Sequence, residues 1–350
     1  MERFRKLFLL SIVLLGLLLS TTVGVLGCGE EKTETKADEK TTETKADTST
    51  QLADRIITVL ASTETSGDYA ANAIAADVLA AKLADPAEKE KLTIVDIRKK
   101  EDFDKGHIEG AINIAYQEWA SMANMAMLPA ENKIIVVCYS GNTAAQTVAG
   151  MRILGHDAAA LKGGMEAWEA GKAQGTITAL EGASNAVVMD PAMNEAAPAP
   201  SATWEPLSEA QHGDLMMAVD EYFMNMEGGG LNVITAADLK AKIDSGETAE
   251  MTLLDIRSAE DFTGVGHIEG AVNVPFKAVA VPDNLSLLSK DKQVVVICYT
   301  GNTAAQAVTA LNLLGYDAIA LKYGMMGWTQ TPNTAGFISY LNAASYPVVQ

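Results

Sequence analysis

The sequence predicts an α/β protein built from two tandem copies of one domain. Three observations carry that expectation. The chain has 350 residues and a mass of 36.9 kDa, more than one ordinary domain and enough for two. Residues 138–168 recur at a constant offset of 160, with 19 of 31 positions identical. The short apolar runs inside each copy do not alternate with polar residues, which is the signature of parallel strands covered on both faces. A repeat this long marks duplicated domains, since solenoid repeats span roughly 20–50 residues.

The elements follow in order. Apolar runs at 92–95, 112–114, 134–137 and 158–161 read as strands. Ahead of the first lies an amphipathic segment, Asn72–Leu83, matched by Asn232–Ile243 in the second copy. After Cys138, the residues Ala144, Val148, Met151 and Leu154 fall at helical spacing, and Gly155 is placed to cap the C-terminus. Ala304, Val308, Leu311, Leu314 and Gly315 repeat that pattern. Outside this block, Leu92-Thr-Ile-Val-Asp-Ile-Arg98 matches Thr252-Leu-Leu-Asp-Ile-Arg257, and Gly106-His-Ile-Glu-Gly-Ala111 matches Gly266-His-Ile-Glu-Gly-Ala271. The expected organisation is a leader over 1–27, a tether over 28–50, a first domain over 51–175, a linker over 176–210 and a second domain over 211–350.

The leader is basic at Arg3, Arg5 and Lys6, then apolar from Leu7 to Leu19, and ends Val25-Leu26-Gly27-Cys28. That apolar core is shorter than the ~20 residues of a spanning helix, so it reads as an export signal. A cysteine directly after Leu-Gly resembles the bacterial lipobox, which implies acylation of Cys28 and an anchor on the extracytoplasmic side, in the periplasm or at the cell surface. The alternative is a plain secretory signal in which Cys28 is incidental. From Glu30 to Thr50 there is no large apolar residue, and TETKAD occurs twice, so a disordered tether is expected.

Composition narrows the function. The net charge is −19, from 26 basic and 45 acidic side chains, which argues against a nucleic-acid partner. Three cysteines and four histidines, none clustered, fit neither a disulfide framework nor a metal site. No cofactor is called for. The tether carries −3 and residues 1–29 carry +2, which leaves −18 on the rest of the chain.

The chemistry concentrates in two loops. Ile134-Ile-Val-Val-Cys138 and Val294-Val-Val-Ile-Cys298 each put a cysteine at the C-terminal edge of a buried strand, where ligands bind in open α/β sheets. A helix N-terminus follows, with unpaired N–H groups and the positive end of the dipole. That setting favours an anion at sulfur, so a depressed thiol pKa is expected. Ser140, Asn142 and Thr143, with Thr300, Asn302 and Thr303 in the second copy, are candidate donors. Gly141 and Gly301 are suited to a positive φ that turns amides inward.

The run D-I-R, E-D-F, G-H-I-E-G-A-x-N, a strand ending C-Y-x-G-N-T-A, L-G-x-D-A and G-M-x-x-W resembles the rhodanese family, over roughly 68–175 and 228–330. The resemblance implies two rhodanese-like domains, each a central parallel sheet of about five strands flanked by helices. It implies that Cys138 and Cys298 are nucleophiles that carry sulfane sulfur as persulfides. The loops Tyr139, Ser140, Gly141, Asn142, Thr143, Ala144 and Tyr299, Thr300, Gly301, Asn302, Thr303, Ala304 would cradle that sulfur. Small sulfur compounds are the implied substrates, whether thiosulfate, polysulfide or a persulfide, with the acceptor undefined. A sulfur carrier without turnover, or a persulfide-sensing interaction module, is the alternative.

Many members of the family hold the donor with a basic residue in this loop, and neither loop here has one. A missing guanidinium weakens capture of a dianion, and the acidic surroundings repel one. The same absence argues against the related Cys-x5-Arg phosphatases. Lys162 and Lys322 are the nearest cations common to both copies. His107 and His267 read as structural. Asp96–Arg98 and Asp255–Arg257 read as fold-holding ion pairs, with Glu109 and Glu269 as candidate partners. Trp168 and Trp328 are expected to pack the last helix onto the sheet.

Overall fold

The computed structural model describes residues 35–207, 209–226 and 231–350, with side chains left out for 35–47, 209–211 and 214. The leader and Cys28 lie outside the described residues. In the first copy, β1 (Ala73–Ile74), β2 (Leu92–Asp96), β3 (Ile112–Asn113), β4 (Lys133–Val137) and β5 (Ala158–Leu161) form a parallel sheet of order β1-β5-β4-β2-β3. In the second, β6 (Val233–Ile234), β7 (Met251–Asp255), β8 (Val272–Asn273), β9 (Gln293–Ile297) and β10 (Asp317–Leu321) repeat the order, again all parallel. Two five-stranded α/β domains are thus present, as expected. Each amphipathic segment begins with the sheet's edge strand and continues as a helix, α2 (Ala76–Ala84) or α7 (Ala236–Asp244).

The central strands β4 and β9 are hydrogen-bonded on both sides and buried over Ile134–Val137 and Val294–Ile297. That explains their unbroken β-branched runs, since neither face meets water. The helices that follow, α3 (Asn142–Ile153) and α8 (Asn302–Leu313), pack against each other. Most of each is buried, from Ala144 to Ile153 and from Ala304 to Leu311. A helix buried on nearly every side needs small residues, hence the Ala-Ala-Gln-x-Val pattern. Each ends at a left-handed glycine, Gly155 (φ 88°) or Gly315 (φ 82°), with His156 N–H donating to Met151 O and Tyr316 N–H to Leu311 O.

Residues Ala46–Gln350 form one compact unit, and its central core runs through both copies. It joins Val136, Val148 and Met151 to Val296, Val308 and Leu311, and it includes Phe223 of α6 (Glu209–Met224). Helix α1 (Thr35–Ala61) adds Leu52, Ile56, Val59 and Leu60. The backbone of α1 reaches back over 35–50, where a tether was expected. Alanine, lysine and glutamate in that stretch are good helix formers despite its lack of apolar residues.

The segment expected as linker, 176–210, departs further. It lies mostly within α5 (Gln174–Glu181) and an extended strap that crosses to the second copy and returns. Val188 bridges His267, Asn194 bonds Asn273, Ala197 bonds Asn284, and Trp204 Nε1 donates to Arg152 O at 3.1 Å. The chain end makes the reciprocal crossing after α10 (Thr334–Asn342). Val349 bridges His107, and Tyr346 N–H donates to Trp168 O at 2.9 Å. Trp168 Nε1 donates to Pro347 O and Trp328 Nε1 to Ala186 O, both at 2.9 Å. Each copy's tail is therefore held by the other copy's histidine turn and tryptophan. Beyond packing, the tryptophans are clamps for exchanged chain.

Candidate active sites

Each cysteine ends a central strand and begins a tight loop over a helix N-terminus. Gly141 (φ 90°) and Gly301 (φ 88°) are the residues just before α3 and α8, and the left-handed turn there points amides back at sulfur. Gly141 N lies 3.1 Å and Ala144 N 3.4 Å from Cys138 Sγ; Gly301 N and Ala304 N lie at the same distances from Cys298 Sγ. Both thiols are free and buried. Helices α4 (Gly164–Trp168) and α9 (Gly324–Trp328) support the loops from behind. Met165 N–H donates to Cys138 O at 2.8 Å, and Met325 N–H to Cys298 O at 2.7 Å. Gly164 and Gly324 make this approach possible, because a Cβ there would stand 2.5 Å from Cys138 O and 2.2 Å from Cys298 O.

The electrostatics correct one expectation. Burial pushes the Cys138 thiol above its ordinary pKa, against the Thr143 hydroxyl and the amides of Ala144, Gly141 and Ser140, which pull it down. The amide cradle is present, but desolvation of the anion outweighs it. Asn142 and Asn302 do not aim at sulfur. Their side-chain oxygens accept from Gln146 and Gln306, each at 2.9 Å. Tyr139 turns outward and donates to Asp102 at 2.5 Å; burial, with that bond, pushes the phenol up to about 12, and Lys105, with Tyr139, holds the Asp102 carboxyl down at about 2. Burial and Asp261 likewise push Tyr299 up to about 12.

The Asp–Arg motifs form closed pairs within themselves. Arg98 contacts Asp96 at 2.7 Å and Arg257 contacts Asp255 at 2.6 Å, all four side chains buried. Glu109 is instead at the surface, 3.6 Å from Lys89, and Glu269 is exposed, so neither partners the arginines. Arg98 and Arg257 stack under Tyr139 and Tyr299, with their charge already matched. His107 and His267 stack on Phe103 and Phe262 and bond backbone through Nδ1, which is a structural role. Among the described residues, no three His, Cys, Asp or Glu side chains are grouped to hold a metal.

The two loops open toward a shared cleft lined by Ser140, Asn142, Lys162, Thr300, Asn302 and Lys322. A second pocket of about 570 Å3 contains Cys298, Tyr299, Thr300 and Thr303, and its far wall comes from the first copy, with Gly67, Ala71, Ala75 and Lys162. Sequence reasoning missed this composite wall and also the chain Glu166–Thr176–Tyr323. There Thr176 Oγ1 lies 2.6 Å from both Glu166 Oε2 and Tyr323 Oη. The available signal was where the copies differ, Gly163 against Tyr323 and Glu166 against Met326.

With the fold and loops in place, the family can be stated. The family model described as Rhodanese-like domain matches residues 79–171 and 235–331, more than half of the chain. The chain belongs to the rhodanese-like family. A putative sulfurtransferase of Bacillus subtilis is 33% identical over 95 residues, covering 27% of this chain and 87% of that protein. A probable adenylyltransferase/sulfurtransferase of Mycobacterium tuberculosis is 31% identical over 100 residues, 28% of this chain and 25% of the relative. The match thus spans a quarter of that relative's length. A solved rhodanese-like domain protein from Staphylococcus aureus is 30% identical, with 28% of this chain and 91% of that one covered at a TM-score of 0.25.

Proposed function

We propose that this tandem rhodanese-like protein is a sulfurtransferase that carries sulfane sulfur on Cys138 and Cys298. The observation that carries the reading is the matched cradle, two loop amides on each sulfur at 3.1 and 3.4 Å. A cysteine thiolate attacks the outer sulfur of the donor. The new S–S bond forms as the donor's own bond to that sulfur breaks, and the leaving group, sulfite, a thiolate or a shortened polysulfide anion, departs with the electron pair. A thiol or cyanide acceptor then attacks the terminal sulfur, and the cysteine leaves as the thiolate. The amides face the atom where negative charge resides in both half-reactions. Because burial raises the Cys138 thiol, its proton must be lost before attack, and the reactive fraction grows with pH.

The donor class we favour is a polysulfide or low-molecular-weight persulfide as readily as thiosulfate, since neither cysteine loop holds a cation. The site of action we propose is extracytoplasmic, with the chain anchored through acylated Cys28. Metabolic labelling with a fatty acid, lost in Cys28→Ser, tests the anchor. Sulfur transfer to cyanide from thiosulfate and from polysulfide, measured for Cys138→Ser, Cys298→Ser and the double variant, tests the chemistry. The double variant should be inactive, and full activity there would overturn the reading. A carrier or sensor without turnover is favoured by the deep burial of both cysteines, 2% and 3% exposed. Mass spectrometry with one sulfur added per site and negligible turnover would select it.

A further inference from the structure

The second cysteine lies in a pocket whose opposite wall belongs to the first copy. That wall is held rigidly against α8. Ala71 and Asn72 adopt left-handed conformations (φ 56° and 53°), Gln306 Nε2 donates to Ala71 O at 2.8 Å, and Asn72 Nδ2 donates to Gln306 Oε1 at 2.8 Å. Two non-glycine residues in that region persist only where surrounding contacts fix them. The wall is thus a defined part of the second site.

Lys162 stands at its edge. It lines the Cys298 pocket, the cleft between the loops, and a neighbouring pocket with Tyr299 and Thr300. Its ammonium is placed by aromatic faces of the exchanged helix α10, 5.7 Å from the Phe337 ring centre and 5.5 Å from that of Tyr340. Tyr340 Oη also donates to Lys162 O at 2.7 Å, which fixes the backbone. The other charged groups of the Cys298 pocket are already engaged. Arg257 is closed on Asp255, Asp68 pairs with Lys82 at 3.0 Å, and Asp261 takes hydrogen bonds from Ser258 and Tyr299. Lys162 takes part in none of the ion pairs among the described residues; burial lowers its ammonium from the ordinary lysine pKa, and Asp77, acting only through space, raises it. Lys322, its counterpart, shares its cleft with Glu166, on which its charge acts.

We propose that Lys162 of the first copy is the anion-recognition residue of the Cys298 site in the second, so that this site takes sulfur donors with an anionic end. The inference rests on the sulfur-transfer reading for the identity of the ligand, but not for the charge selectivity itself. A cation contributed across the domain interface replaces the loop arginine that the second copy lacks. The duplication thereby becomes functional, because a single copy could not assemble this pocket.

Alkylation tests the proposal without requiring turnover. Iodoacetate carries a charge and iodoacetamide does not, and peptide mapping of the intact chain reads each cysteine separately. Lys162→Ala should lower the iodoacetate-to-iodoacetamide rate ratio at Cys298 about fivefold, the scale of one unit charge at short range in a partly hydrated site. The ratio at Cys138 should fall less than twofold, Lys162→Arg should preserve both, and Lys322→Ala should leave Cys298 unchanged. Salt should erode the wild-type preference. An unchanged ratio at Cys298, or an equal fall at both cysteines, would overturn the proposal. An unaltered iodoacetamide rate shows that the pocket is intact. Loss of sulfur transfer with the charge preference retained would count against the sulfurtransferase reading alone.

Discussion

At the edge of the first cysteine loop stands Gly163, and at the matching place in the second stands Tyr323, held at φ 62° although it has a side chain. In the first copy a Cβ at Gly163 would meet Ala167 of its own copy at 2.8 Å, then Leu341 at 3.2 Å and Tyr340 at 3.6 Å from the second copy's last helix. In the second, Tyr323 fills its own space and reaches Thr176 of the first copy at 2.6 Å. The sulfur cradles have kept one geometry while their surroundings have diverged. The amide–sulfur distances are the same in both copies, and the residues beside the loops differ.

The contrast can be broken most severely at the glycines behind the loops. Gly324→Ala would drive a Cβ to within 2.2 Å of Cys298 O at a positive φ of 54°, and Gly164→Ala to within 2.5 Å of Cys138 O. Each should cost ~3 kcal/mol or more and abolish persulfide formation at its own cysteine first. Thermal unfolding together with site-resolved mass spectrometry checks this. Equal loss at both cysteines would mean that the two loops fold as one unit.

A smaller effect separates the matched helices. A Cβ at Gly150 in α3 would meet Trp119 at 2.7 Å and Phe223 at 2.9 Å, whereas α8 carries Ala310 in the matching place. Gly150→Ala should therefore destabilise by ~1–2 kcal/mol through overpacking, although alanine is the better helix former. Ala310→Gly should cost about 1 kcal/mol for the opposite reason. Denaturant midpoints decide the sign at position 150.

The reciprocal tails give a near-symmetric pair. Trp168→Phe and Trp328→Phe each remove one hydrogen bond to the other copy's tail, at Pro347 O and Ala186 O. Each should cost ~1 kcal/mol, with hydrogen exchange accelerating at residues 344–349 in the first case and 185–188 in the second. The smallest change is expected for Tyr323→Gly. Relief of the left-handed strain opposes loss of the Thr176 hydrogen bond and of the ring's packing against the core, each about 1 kcal/mol. A shift beyond ~1 kcal/mol in chemical unfolding would show that one of them dominates.

The pH response sharpens the comparison at the sulfurs. Cys138 titrates above an ordinary thiol because burial disfavours its anion. Its iodoacetamide rate should rise about tenfold per pH unit from neutrality and level off only above the usual thiol range. A plateau near pH 7 would mean that the loop amides prevail over desolvation.

Much of this was legible in the residues. Hydrophobic runs without alternation announced parallel strands, the offset of 160 announced the duplication, and both cysteines fell at strand ends before a glycine and a helix. These are local signals, set by backbone sterics and by which short stretches can be buried. The pairing of α1 and α6 with the shared core, the exchanged tails and the trans position of Lys162 were not legible. They depend on contacts such as Asn72 with Gln306, separated by 234 residues. The thiol acidity inferred from the loop also failed for Cys138, because donor geometry is local whereas desolvation depends on everything packed around the sulfur. Sequence by itself determined two copies of one α/β domain and a cysteine cradle in each. Only the tertiary structure decided that each copy clasps the other's tail and that the second pocket is walled by the first. Which surfaces meet is set by burial summed over both copies, which no single segment encodes.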